Sequence, residues 1–177
     1  EAVSVNAMHA PIARERILDL LARLIDKSLV LAEPSATGEL RYQLLEPMRQ
    51  FAAECLVRQG TAAVLGKRHA HWFAALVAEA AAQFHGPSEV AALERIDREY
   101  ANIQAAFDLL LLDQPTRRGD AVRLAHGLWW FWAARDHWVE ASSRLNRLVD
   151  SVHFDDDQGP ELDLLWMAGS IAWMRGD

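Results

Sequence analysis

The chain has one cysteine, Cys55, and only nine glycines and six prolines in 177 residues. A lone cysteine excludes an intrachain disulfide framework and any cysteine-based zinc cluster. Scarce glycine and proline leave few points at which a helix must break, and 30 alanines with 24 leucines supply strong helix formers, so a mostly helical chain is expected. Long apolar runs are missing as well: runs such as Leu109–Leu112 and Gly127–Ala134 fall far short of the roughly 20 residues that cross a bilayer. No charged-then-apolar leader opens the sequence, and the expected setting is reducing and cytoplasmic. An excess of positive charge is also lacking. The net charge is −7, and residues 100–177 carry most of it, with 7 basic against 12 acidic side chains. A surface that grips phosphates has the opposite sign, so bulk electrostatics disfavours nucleic acid.

What is present is periodicity. Ile17, Leu20, Leu21, Leu24 and Ile25 recur at helical spacing and predict a helix from about Ala13 to Lys27. Two short β-prone runs, 28–32 and 40–44, flank a loop containing Pro34 and Gly38 and predict a hairpin. Pro47 in a first turn and Gly60 as a stop bracket the next helix, whose expected buried stripe is Met48, Phe51, Ala52, Cys55 and Leu56. A further helix from about Ala62 to Gly86 places Trp72, Phe73, Leu76 and Val77 on one side. Leu93, Ile96, Tyr100, Ile103, Phe107 and Leu110, spaced 3, 4, 3, 4, 3, form a core-facing seam on one helix or on two broken near Asp97 or Asn102. Six of the seven tryptophans lie beyond residue 128, and Leu128–Trp132 is apolar all round. Such a helix has to be covered on more than one side.

No catalytic set emerges. Gly60-to-Arg68 resembles a phosphate loop but has five intervening residues and Arg68 where a hydroxyl is needed, and it follows a helix. His69 and His71 point about 200° apart on a helix and cannot share one ion. Asp155, Asp156 and Asp157 are consecutive, unlike the alternating ligands of a calcium loop, and no Gly-x-Ser-x-Gly elbow is present. The chain is therefore expected to be no enzyme, with no catalytic, cofactor-binding or metal residues.

Two surfaces remain as candidates. A helix followed by a hairpin is the tail of a winged helix, in which that helix enters the major groove. Its cations Arg14, Arg16, Arg23 and Lys27 are countered by Glu15, Asp19 and Asp26, which makes direct DNA contact the secondary reading. Trp129, Trp130, Phe131 and Trp138 form the candidate protein-interaction surface, with Trp130 and Phe131 expected to project away from Leu128, Trp129 and Trp132.

The stretches Leu21–Val30 and Arg41–Ala52 resemble the region after the nucleotide-binding domain of bacterial STAND-type signalling ATPases, among them LuxR-family and AfsR-like transcriptional regulators. Lys67–Phe73 and Tyr100–Phe107 are similar to that family's continuation. The resemblance runs from about residue 12 to 177. It implies a mostly α protein with a partial winged helix in residues 1–60, a helical linker in 61–115, and incomplete tetratricopeptide-like repeats in 116–177. Within those repeats it places Gly169 and Ala172 where helices approach closely, at a period of 40 residues. The implied role is a non-catalytic sensor and interaction region that couples signals to an ATPase switch and a DNA-binding output. ATP or ADP and Mg would then belong to an upstream domain, since the place of that family's Met-His-Asp motif here reads Leu44-Leu45-Glu46. Implied partners are other domains of a longer chain, an inducer or partner protein, and a second copy. DNA would be reached only through a separate output domain, and no membrane is involved.

Overall fold

The computed structural model describes residues 14–34, 38, 40–112, 118–150 and 159–175. Among them are seven helices and one hairpin, in the order α1 (Arg14–Asp26), β1 (Val30–Pro34), β2 (Leu40–Leu44), α2 (Glu46–Arg58), α3 (Ala62–Ala81), α4 (Glu89–Leu112), α5 (Arg118–Ala134), α6 (Trp138–Asp150) and α7 (Gly159–Arg175). The fold is mostly α, as expected. By contacts the chain divides into two units, Glu1–Ala62 and Ala63–Asp177.

In the first unit each helix ends for a local reason. Ser28 takes a positive φ of 56°, its N–H bonds the Ile25 carbonyl and the Leu29 N–H reaches back to Leu24. That pairing satisfies the last carbonyls of α1 and turns the chain into β1. Residues 28 and 29 are thus the helix stop, and the first strand begins two residues later than its propensity indicates. The strands are antiparallel, with Val30 opposite Leu44 and Glu33 opposite Arg41. Leu45 caps α2 in an extended backbone conformation, and Pro47 lies in the first turn, where no N–H is missed. Gly60, at φ 68°, closes α2 with the same pairing as Ser28, through Gly60 to Val57 and Thr61 to Leu56.

Among the described residues of this unit only Val30 is fully buried. The α2 stripe expected to be buried is half-covered at Met48, Ala52, Cys55 and Leu56, and Phe51 is exposed. Phe51 carries the Arg58 guanidinium over its ring at 6.0 Å.

The second unit holds the core. Ala70, Phe73, Leu76, Val77 and Ala80 of α3 pack with Leu93, Ile96, Ile103, Phe107 and Leu110 of α4, with Leu124, Leu128, Phe131 and Trp132 of α5, and with residues of α6 and α7. The seam of α4 is the predicted one, on a single unbroken helix of 24 residues. Helix α3 stops at Ala81, five residues before Gly86. Its Trp72, expected on the core side, is 57% exposed. Helix α5 packs on α4, α6 and α7. This explains how so apolar a segment is accommodated: Leu128, Phe131 and Trp132 are all enclosed because cover comes from more than one direction.

Candidate functional site

The first candidate surface is α1. Arg16, Arg23 and Lys27 are exposed. At 3.6 residues per turn they fall within about 40° of one another. Asp19 and Asp26, also exposed, flank the row and dilute its field. Only the backbone of Arg14 is described, so its side chain lies outside the described residues. The adjacent side of α1 is apolar and open, with Ile17 and Leu18 48% and 63% exposed and Leu20 and Leu24 also exposed. Helix α1 thus carries an open apolar side next to its basic row.

At the start of α2, Glu46 accepts hydrogen bonds from Arg49 at 2.8 and 2.7 Å and from Gln50 at 2.7 Å. These bonds, the Arg49 ones foremost, hold its carboxyl below the usual carboxylate range. Glu46 is committed to its own helix, while Leu45 before it makes no side-chain capping bond.

The second candidate surface comes apart. Trp129, half-buried, turns toward α7, with its ring 5.4 Å from that of Trp166. Trp130 lies edge-on against His85 at 4.4 Å, its buried indole nitrogen without a hydrogen-bond partner. Phe131 is fully enclosed and presents nothing to a partner, against the expectation that it projects with Trp130. The reason is that Leu124, Leu128 and Phe131 share one side of α5, and both Tyr100 and His137 close over Phe131. Trp138 begins α6 and is half-buried against the core. The four residues form no common face.

A polar network ties α4 to α5 and α6. The Trp132 indole N–H donates to the Tyr100 hydroxyl at 3.0 Å, and Tyr100 stacks on His137 at 4.8 Å. Burial first, and then the nearby Glu140 carboxylate, push the Tyr100 phenol well above its ordinary range. Gln104 donates to Glu140 at 2.5 Å, Arg144 also binds Glu140, and Asp108 pairs with Arg147 at 3.2 Å. Arg135 pairs with Asp97 at 2.7 Å. Every charged member finds an opposite partner, which is the arrangement of a structural clasp.

The two neighbouring histidines separate, as their spacing requires. His69 lies tilted against Phe73 at 4.6 Å with Nδ1 buried and unpartnered, and burial lowers its pKa. His71 is exposed, beside Arg68 and Trp72 in a surface cleft of about 420 Å³. Among the described residues no group of three His, Cys, Asp or Glu side chains is placed to hold a metal ion, and no helix is long and apolar enough to cross a membrane.

One apolar groove was missed by sequence reasoning. It measures about 520 Å³ and is lined by Trp129, Trp166, Gly169, Ser170, Trp173 and Met174. The signal was in the sequence: Trp166, Gly169 and Trp173 stand at i, i+3 and i+7. Gly169, expected at a close helix approach, faces open space, since a Cβ there would meet nothing within 4 Å. The tight approach is at Gly127 of α5, where a Cβ would come within 2.7 Å of Val77 Cγ1.

Comparison with known proteins bears on the first unit above all. Residues 4–57 match the winged helix-turn-helix domain family. The chain is similar to "Putative HTH-type transcriptional regulator Rv0890c" of Mycobacterium tuberculosis (strain H37Rv) and to "Putative HTH-type transcriptional regulator Mb0914c" of Mycobacterium bovis. In each case it is 33% identical over 141 residues, which is 78% of this chain and 15% of the relative. The chain thus spans less than a sixth of the length of these curated relatives. No solved structure matches.

Proposed function

We propose that this chain is a non-catalytic regulatory region of a bacterial transcriptional regulator, in which a winged-helix unit is joined to tetratricopeptide-like helical repeats. Signal or partner binding on the repeats would be coupled through the winged helix to an ATPase switch and a DNA-binding output elsewhere in a longer protein. The observation that carries this reading is the surface of α1, where Ile17, Leu18 and Leu24 stand open beside a basic row diluted by Asp19 and Asp26. Such a helix is built for contact with protein more than with phosphate. The winged-helix match and the regulatory names of the relatives support the same reading. ATP or ADP with Mg would bind in another domain, since Leu45 and the self-engaged Glu46 offer no ligand for a nucleotide.

A second reading, direct DNA contact, is favoured by the alignment of Arg16, Arg23 and Lys27 on one side of α1 and by the winged-helix match. One experiment separates the two. Purified chain is mixed with a pool of short duplexes carrying randomised cores at physiological salt, and shifted duplexes are sequenced. The expected result is no enrichment and no retained complex. An enriched site whose affinity falls steeply with salt, and which is lost on Arg16→Ala with Arg23→Ala, would establish the second reading in place of the first.

A further inference from the structure

Helix α3 runs against the charge of its chain. From residue 62 to 78 it carries Lys67 and Arg68 and no carboxylate, in a chain of net charge −7. Arg68, His71, Trp72 and Glu79 fall within about 100° of its circumference. With buried Leu76 and with Arg95 of α4 they line the cleft of about 420 Å³. Its cations are not equivalent. Glu79 pairs with Arg95 at 3.1 Å, so those two charges cancel. Among the described residues no carboxylate pairs with Arg68 or His71. The Trp72 indole is 57% exposed, and its plane is fixed by the buried Phe73 ring, which it meets nearly at right angles with centroids 4.7 Å apart. An exposed indole by itself is ordinary surface, and so is a single arginine. One turn apart over a shared cleft, they are the two halves of a site for a flat anion. The indole offers a face on which a ring can stack, and the guanidinium offers a planar fork of donors that matches a carboxylate.

We propose that this cleft binds a small aromatic carboxylate, its ring laid on Trp72 and its carboxylate held by Arg68 with His71 beside it. The volume lies within the roughly 300–1,000 Å³ of small-molecule sites. Charge selects the class. With Arg95 neutralised, Arg68 leaves one full positive charge, which balances a monoanion. A phosphate dianion would stay half-compensated next to the Glu79 carboxylate. The inference goes beyond the regulatory reading, which names no ligand for α3 and α4, and it stands on the geometry of the second unit alone.

The test is calorimetric titration of the 177-residue chain with naphthoate. Saturable binding is expected with a Kd of about 0.1–1 mM, the range for so small a ligand in an open cleft. Arg68→Gln is expected to weaken it about ten-fold and Trp72→Ala about five-fold. Lys67→Gln, about 100° round the helix from Arg68, is expected to leave it unchanged. All three side chains are exposed, and unchanged melting temperatures check that the variants fold. Glu79→Gln frees Arg95 and is expected to tighten naphthoate. No saturation, equal binding of the uncharged naphthalenemethanol, an equal loss in Lys67→Gln, or looser binding in Glu79→Gln overturns the proposal. Tighter binding of naphthyl phosphate than of naphthoate by the parent chain assigns the cleft to phosphate esters and overturns it. Binding of a glutamate-rich peptide without binding of naphthoate assigns it to a protein partner, with the same consequence. The duplex selection tests the regulatory reading separately, and neither result decides the other.

Discussion

Helices α1 and α6 are both 13 residues long and both strongly one-sided in sequence, yet they meet opposite fates. Ala141, Leu145 and Leu148 of α6 are fully enclosed, while Ile17, Leu18, Leu20 and Leu24 of α1 remain exposed. The contrast extends to the two units. Among the described residues, Val30 is the single fully buried apolar side chain of the first, against 26 in the second. Amphipathic patterning states a demand for cover, and only a neighbouring element meets it. In the first unit the hairpin touches α1 without enclosing its apolar side; in the second, α5 and α7 pack on α6, and the Glu140–Arg144–Asp108 clasp ties it to α4.

The contrast is most sharply broken or kept by large-to-small substitutions. Trp132→Ala empties a fully enclosed site and is expected to cost about 3–5 kcal/mol, whereas Leu24→Ala in α1 is expected to cost below about 1 kcal/mol. Urea unfolding followed by dichroism checks both, and a comparable loss for Leu24→Ala would end the distinction. Next in size is Gly127→Ala, which drives a methyl against the stiff, buried Val77 and is expected to cost about 1–3 kcal/mol.

Tyr100→Phe removes the acceptor of the Trp132 N–H, with an expected loss of about 1–2 kcal/mol at neutral pH. Its pH signature is specific to the second unit. Because the folded phenol ionises above its ordinary value of 10.0, folding is favoured below that value. The stability is then lost as pH rises beyond it, and the variant should flatten this alkaline decline. The smallest effect is on the acid side. Burial lowers the His69 pKa below 6.5, so the stabilisation present above that pH is lost as pH falls through the folded value. Melting curves at pH 7.5 and 5 should therefore differ by less in His69→Leu than in the parent.

Much of the second unit was legible in sequence. The 3–4 spacing of α4 named its buried residues, and the one break that remained open, near Asp97 or Asn102, is absent because Asp97 pairs outward with Arg135 and Asn102 with Glu99 on the helix surface. Less was legible at the candidate surfaces. Phe131 was expected outside and is inside, because helical spacing gives direction on one helix but not how many neighbours approach it. Trp72 shows the reverse error for the same reason.

By itself the sequence determined that most of the chain is helical, roughly where each helix lies, and which side of most of them is apolar. Local forces act over a few residues: the stop at Gly60, the proline of α2 and the period of the α4 seam are all readable in a short window. Only the tertiary structure decided which apolar sides are covered. Enclosure depends on elements far apart in the chain, such as Tyr100 with Trp132 or Val77 with Gly127, brought together by packing that no short window contains. That same packing left Trp166, Gly169 and Trp173 of α7 open.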